Sequence, residues 1–252
     1  MRRMAWLWAG LLLLPAPGWA GPPQECLVAQ HQVEHIFPLP HAAAAIAAKK
    51  LDVLVLCAGS STLPQRNGNG PGSAYPARLQ TALTELLPGV AVNVTADAVP
   101  RRTAAAMVET LKTALPKLKP ALVIWETGTV DAIQSVDPDE FSATLAQGIG
   151  AIRAAGADVV LVNAQYSPRT ESMIGLTTYG DDMRWVALQH EVPLFNRFEI
   201  MRLWAELGTF DFTDAPNKID MAKRVHDCIG WLLADLVTEA AKNAAPPSEG
   251  GR

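Results

Sequence analysis

The feature that most constrains the fold is the alternation of apolar, β-type segments with helix-like segments from Leu51 onward. Alternation of this kind is typical of a parallel sheet covered by helices on both faces. Strands are expected at Val53–Cys57, Val90–Val94, Ala121–Trp125, Val159–Val162 and Pro193–Phe195. Helices are expected at Ala77–Leu87, Thr103–Leu115, Asp139–Ala155, Gly180–His190 and Phe198–Leu207, with a final helix within Asp220–Lys242. We therefore predict one doubly wound α/β domain, at 51–242, with about five parallel strands.

Composition sets limits on what this domain binds. With 252 residues, of which 49% are hydrophobic, the chain can bury a substantial core. The formal net charge is −4, and no basic stripe runs along the chain. Since nucleic-acid binding depends on clustered positive charge, we expect no nucleic-acid partner.

The N-terminal residues 1–20 have the order of a secretory signal peptide. Two arginines precede an apolar run, and Gly18 and Ala20 stand at cleavage-like spacing. The apolar run is too short for a comfortable membrane span, and no cysteine follows the cleavage position. We expect an exported protein, periplasmic or secreted, without a stable membrane anchor. Residues 21–50 are expected to wrap the domain and residues 243–252 to form a disordered tail.

Three cysteines are present, an odd number. Cys57 falls inside the first predicted strand and is most simply a buried apolar residue. Cys26 and Cys228 could pair in an oxidising compartment.

The first predicted strand stops at a small-residue turn that carries hydroxyl groups, Ala-Gly-Ser-Ser-Thr at 58–62. Ligands of open parallel sheets bind outside the carboxyl ends of the strands, so this turn is a candidate site for a nucleophile. A turn that satisfies its own backbone is the plainer alternative. The Gly-x-Ser-x-Gly signature is absent, and the glycine-rich run at 68–72 fits neither a dinucleotide fingerprint nor a P-loop.

Three further segments carry chemistry-bearing residues. The segment Trp125–Asp131 follows the third strand and suits a substrate-lining loop or a simple turn. Gln165 and Tyr166 follow the fourth strand and are expected on the same rim of the sheet, lining the cleft. The His-x-x-Glu-His spacing at 31–35 matches a zinc motif but lacks an obvious third ligand, so a polar surface helix is expected there and no metal.

The order of these signals resembles the SGNH/GDSL hydrolase family over about residues 51–240. The matching segments are the strand ending in Gly-Ser-Ser-Thr, the Asn93–Pro100 segment, the Gly128–Asp131 segment and the His226–Trp231 segment. The resemblance implies a flavodoxin-like three-layer fold and cleavage of acyl esters by a serine nucleophile, with no cofactor.

Matched to the family's first block, Thr62 places Ser60 at the nucleophile, and a shifted register places Ser61 there instead. The oxyanion glycine of the second block falls on Ala98, which can still offer its backbone N–H. Gly128 and Thr129 match the start of the third block and are expected to bind substrate. Its oxyanion asparagine is replaced by Val130, which has no donor.

The family's fourth block, Asp-x-x-His, is matched by His226, but Lys223 stands at the position of the aspartate. Asp220 and Asp214 are the nearest upstream acids. If this stretch is helical, Asp220 and His226 lie on different faces. His226 is therefore either the general base or a residue at the edge of an apolar stripe.

The function that follows is an exported serine ester hydrolase or acyl transferase. Its expected partner is a small-molecule or carbohydrate-linked acyl ester. Because Val130 and Lys223 both replace family residues with a chemical role, the alternative is a binding module that kept the fold and lost catalysis.

Overall fold

The computed structural model describes residues 23–27, 37–58, 70–168, 171, 175–212 and 218–244. The strands are β1 (Lys50–Ala58), β2 (Ala91–Val99), β3 (Leu122–Glu126), β4 (Asp158–Val162) and β5 (Leu194–Phe195). The helices are α1 (Pro40–Ala47), α2 (Tyr75–Leu86), α3 (Ala104–Leu118), α4 (Thr129–Ile133), α5 (Pro138–Ala154), α6 (Leu176–Gln189), α7 (Arg197–Glu206) and α8 (Lys218–Lys242). Short 3-10 turns occupy Gln24–Cys26 and Pro71–Ser73.

The five strands form one parallel sheet in the order β2-β1-β3-β4-β5. The strand order reverses at β1, because β2 lies on one side of it and β3 on the other. All carboxyl ends therefore meet at one edge of the sheet, and the crevice at that edge lies where the order reverses. The predicted doubly wound, flavodoxin-like α/β fold is confirmed.

Two hydrophobic clusters cover the two faces of the sheet, as alternation along β1 requires. Val53, Val55 and Cys57 face a cluster that includes residues of α1, α2, α7 and α8. Leu54 and Leu56 face a second cluster with residues of α3, α5 and α6. Every residue of β3 and β4 is buried, which explains why these strands are apolar throughout.

Local sequence sets where the helices begin. The Thr103 hydroxyl accepts from the N–H of Ala106, and the Asp137 carboxylate accepts from the N–H groups of Asp139 and Glu140. Helix α1 starts at a proline, which is favourable at the first helical position. This helix lies within the segment expected only to wrap the domain, and the short helix α4 was also not expected.

The N-terminal 3-10 turn is fastened to α8. Cys26 and Cys228 form a disulfide bond, as the sequence allowed, and both are fully buried. Glu25 pairs with Arg224 beside it. The Cys57 thiol is free and buried in β1, and burial raises its pKa to about 12. Among the helices in the described ranges, none is long and apolar enough to span a bilayer.

Candidate active site

Strand β1 delivers the chain to the carboxyl edge of the sheet. It ends at Ala58, two residues before Ser60. Ser60 and Ser61 lie outside the described residues, as do Asp214 and the His-x-x-Glu-His segment at 31–35. The choice between the two serines as nucleophile therefore stays a prediction.

The buried guanidinium of Arg102 ties the end of β1 to the end of β2. Its Nη2 donates to the carbonyl oxygens of Asp97 at 2.7 Å and Cys57 at 3.4 Å, and its Nη1 pairs with the Asp97 carboxylate at 3.1 Å. Nη1 also donates to the Thr110 hydroxyl. These bonds hold the carboxyl end of β1 against the carboxyl end of β2.

The loop after β3 is held by a buried carboxylate. Asp131 accepts from the N–H of Ala104 at 2.9 Å and lies within hydrogen-bond distance of the Thr127 hydroxyl. Burial raises the Asp131 pKa, and the bonds from backbone N–H groups oppose that rise. Gly128 has a φ of +95°, a conformation that side chains rarely adopt. Val130 is half-buried against the second cluster, so no amide donor stands at this position.

Ala98 lies inside β2, in register with Cys57. In a parallel pair, alternate residues direct their N–H and C=O groups to the neighbouring strand. The Ala91 N–H donates to Lys49 in the β1 direction, whereas the Val94 N–H donates to the Gln80 side chain. By this alternation the Ala98 N–H points away from β1. Since β2 is the edge strand, this N–H faces the outer edge of the sheet and not the end of β1, so the geometry does not favour the predicted oxyanion role of Ala98, which stays a prediction.

His226 lies in the third turn of α8, and its Nδ1 accepts from the backbone N–H of Tyr75 at 2.9 Å. In a neutral imidazole the proton is then on Nε2, which has no lone pair left to accept a proton. A serine-activating histidine instead donates from one nitrogen to an acid and accepts with the other. This bond contradicts the predicted role of His226 as general base. It supports the alternative, a structural histidine at the edge of the apolar stripe.

Asp220 does not orient His226 either. Its carboxylate is 71% exposed and pairs with Lys223 at 3.1 Å, one turn further along the same helix. An exposed pair of this kind contributes little to stability. The prediction that Asp220 completes a triad with His226 is therefore wrong in this structure.

A buried ion pair lies under the same edge. Glu126, the last residue of β3, pairs with Arg197, the first residue of α7, at 3.0 Å. Their side chains are only 3% and 2% exposed. Burial lowers the pKa of His226 to about 4, and the nearby positive charge of Arg197 adds to this effect. His226 is therefore neutral at pH 7.

The loops after β4 and β5 are joined by two asparagines that the sequence analysis missed. Asn163 Nδ2 donates to Asn196 Oδ1 at 2.7 Å, and Asn163 Oδ1 accepts from the N–H of Phe198. Each asparagine directly follows a strand, which is the signal that could have identified them. Gln165 is half-buried, whereas Tyr166 is buried with its ring packed edge-on against Phe198.

Tyr166 therefore belongs to the core packing, which runs against its predicted place in the cleft lining. Gly128 lines a cavity at this edge, and Thr129 is half-buried beside it. Within the described ranges, no group of three or more histidine, cysteine or acidic side chains could hold a metal ion.

The five-stranded parallel sheet with helices on both faces defines the class of protein as a flavodoxin-like α/β fold of the SGNH type. A model of the Non-GDSL lipase-like family matches residues 25–243, and the chain belongs to that family. The resemblance seen in the sequence is thereby confirmed.

Solved structures agree with this assignment. TesA is 22% identical, with a TM-score of 0.55 over 73% of this chain and 99% of that chain. A lipase/acylhydrolase from Enterococcus faecalis is 14% identical, with a TM-score of 0.55 over 79% of this chain and 99% of that chain. Axe2, an acetylxylan esterase from Geobacillus stearothermophilus, is 14% identical, with a TM-score of 0.52 over 76% of this chain and 94% of that chain. These structural similarities show that the chain shares the fold of these proteins. A sequence search of the curated proteins found no match.

The pKa of His226 predicts how stability depends on pH. The unfolded chain binds a proton at this histidine near its ordinary pKa of 6.5, and the folded chain only near 4. Stability should therefore fall as pH drops from about 6.5 to about 4, by about 3 kcal/mol for this one residue. Urea unfolding at pH 7, 5.5 and 4.5 measures the effect.

His226→Asn is the matched variant, because its amide oxygen can accept the Tyr75 N–H without titrating. We expect the variant to lose this part of the pH dependence. An identical pH dependence in both proteins would contradict the assigned role of His226.

Proposed function

We propose that this protein is an exported serine ester hydrolase or acyl transferase with Ser60 as nucleophile, acting on a small or carbohydrate-linked acyl ester. The observation that carries the proposal is the convergence of three loops at one edge. Strand β1 ends two residues before Ser60, Arg102 fixes that end to β2, and Asp131 fixes the β3 loop to α3. Family membership supports the same chemistry.

In the proposed reaction the Ser60 hydroxyl oxygen attacks the ester carbonyl and its proton passes to a base. The carbon–oxygen bond to the alcohol then breaks, and the alcohol leaves with a proton. Water or an acceptor hydroxyl attacks the acyl-enzyme and restores the serine. The Ala98 N–H is the proposed oxyanion donor. As placed, His226 cannot take the serine proton, so the base is proposed to come from outside the described residues.

A binding module that retains the fold is the second candidate. The observation that favours it is the His226 hydrogen bond to Tyr75, since this histidine serves structure rather than proton transfer. The absence of a donor at Val130 points the same way. In this case the edge would bind an acyl ester without turning it over.

Labelling with a serine-directed phosphonate separates the two candidates. We expect one adduct, mapped to the Ser60 peptide, together with turnover of p-nitrophenyl esters. Ser60→Ala should remove both, and the matched control Ser61→Ala should retain both. An adduct on Ser61 would show that the register is shifted by one. A folded wild type with neither adduct nor turnover would favour the binding module.

Restoring an oxyanion donor tests the same site. One well-placed donor changes the rate by about 10²–10³-fold, so we expect Val130→Asn to raise kcat by that order. Val130 packs against the second cluster but is only half-buried, so part of the introduced amide can stay accessible. The control is Ile133→Asn on the same short helix, where the side chain is 60% exposed. The measurement is kcat for p-nitrophenyl esters in the two folded variants. Equal kcat values in Val130→Asn and Ile133→Asn would count against an oxyanion role for position 130.

Export is proposed on two grounds. Residues 1–20 have the order of a signal peptide. The Cys26–Cys228 bond is of a kind that persists in oxidising compartments. We expect the mature chain to start near Gly21, which the intact mass of the protein from an extracytoplasmic fraction tests. A protein retaining residues 1–20 in the cytoplasm would contradict it.

A further inference from the structure

A small cavity lies at the carboxyl edge beside the β3 loop. Its volume is about 60 Å³. Pockets for drug-sized ligands measure about 300–1,000 Å³, so this cavity admits only a few heavy atoms. It lies between the loops after β3, β4 and β5 and the helices α6 and α7.

The cavity is lined by both apolar and polar residues, the polar ones being Asn163, Thr177, Asp181, Arg184, Asn196 and Glu199. The apolar lining consists of Gly128, Ala164, Leu176, Tyr179, Met183 and Phe198. Met183 and Leu176 are buried, whereas Asp181 and Arg184 are largely exposed and pair with each other at 2.8 Å. A short ligand that carries both an apolar and a polar part therefore suits this lining.

The cavity wall begins one strand away from β1, the strand that the proposed nucleophile follows in the sequence. Gly128 and Asn163 follow β3 and β4, and neighbouring strands lie about 4.8 Å apart. Because β3 pairs directly with β1 and β4 pairs with β3, Gly128 and Asn163 in the cavity wall stand about 5 and about 10 Å from β1, one and two strand spacings away. A short acyl group on an ester bound beside Gly128 can enter the cavity, because Gly128 is itself part of the lining.

We infer that this cavity holds the acyl group of the ester and restricts it to about two to four carbons, an inference that rests on the proposed serine esterase function. Met183 sets the limit: its sulfur lies 3.3 Å from where a Cβ on Gly128 would stand, so it closes the cavity against the β3 loop. Acetyl to butyryl esters fit, and longer linear chains do not.

Two substitutions change the cavity in opposite directions. Met183→Ala enlarges it, and Ala164→Leu fills it. The matched control is Trp185→Ala, which alters an exposed side chain on the same helix. We expect wild-type kcat/KM for p-nitrophenyl esters to fall at least tenfold between four and eight carbons. Met183→Ala should move the optimum to longer chains, and Ala164→Leu should lower kcat/KM for the two- to four-carbon esters at least tenfold.

The Ser60→Ala variant lets binding be measured without turnover. The measurement is the rise in the Tm of this variant when p-nitrophenyl esters of two to eight carbons are added. Short esters should raise the Tm of Ser60→Ala, and adding Ala164→Leu to this variant should abolish the rise.

If wild type is inactive while this pattern of Tm changes holds, the cavity assignment stands and the proposed hydrolysis fails. If wild type turns over all lengths equally and both cavity variants behave like Trp185→Ala, the assignment is overturned and hydrolysis stands. With neither turnover nor a Tm response, both are overturned. If Met183→Ala does not fold, Ala164→Leu alone gives the same decision.

Discussion

Replacing Glu126 with leucine is expected to lower the free energy of unfolding by about 3–5 kcal/mol, because it breaks a buried ion pair by removing one of its two members. Both side chains are almost wholly inaccessible to solvent. The pair joins the end of β3 to the start of α7. Urea denaturation at pH 7 measures the change.

The double variant Glu126→Leu/Arg197→Met tests whether the buried ion pair contributes net stability to the fold. Replacing both charges with apolar groups removes the burial cost together with the attraction, so most of the lost stability should return. The control is Asp181→Ala in the exposed pair with Arg184, for which we expect a change of at most about 1 kcal/mol. A single variant as stable as wild type would mean that the Arg197 charge finds compensation elsewhere.

Breaking this pair also tests the site. Glu126 directly precedes the loop of Gly128 and Asp131, so loss of the pair should reduce ester turnover or ligand binding even in conditions where the variant is folded. Activity that follows stability alone would place Glu126 purely in the fold.

The fold was predictable because its signal is local. Strands β3 and β4 are buried on both faces, and a run of apolar residues is what such burial requires. The boundaries differ mainly where no local signal exists. Strand β2 continues to Val99 through alternating polar residues, because an edge strand can present them to solvent. Helix α1 was not predicted, although its signal is local: a run of alanines, the strongest helix formers, follows a proline at the first helical position.

The site was less predictable because its contacts join residues far apart in sequence. The role of His226 depends on the N–H of Tyr75, 151 residues earlier. Spacing alone shows that a histidine follows Lys223 on a helix, but not which nitrogen carries the proton. The Glu126–Arg197 pair spans 71 residues, and only the shared edge of the sheet brings the two together. Arg102 was likewise not singled out, since a lone arginine after a strand has no distinctive pattern.

The two departures from the family pattern, at Val130 and at Lys223, differ in how easily a substitution could reverse them. At Val130 a donor is missing, and one substitution could restore it. At His226 the imidazole is already committed to the N-terminus of α2, so adding an acid at Lys223 would not release its Nδ1. A hydrolase on this scaffold therefore needs a base from elsewhere, whereas a binding module needs no further group.

Reducing the Cys26–Cys228 bond is expected to lower the free energy of unfolding by several kcal/mol. The two residues are 202 positions apart, so the bond closes nearly the whole domain into one loop in the unfolded chain. The loop-entropy relation gives a loss of about 5 kcal/mol when the bond is broken, although measured values are more often about 2–4 kcal/mol. Urea unfolding of wild type with and without dithiothreitol measures the difference. Cys57 is already a free thiol, so the reductant acts on one bond.

The matched control is Cys26→Ala/Cys228→Ala, which should unfold at one midpoint with or without reductant, close to that of reduced wild type. Equal midpoints for oxidised and reduced wild type would contradict the bond or its contribution. A confirmed loss of stability on reduction would also be relevant to the cellular compartment of the protein. A domain that depends on this bond would be marginal where thiols are kept reduced, so its stability would itself favour an oxidising compartment.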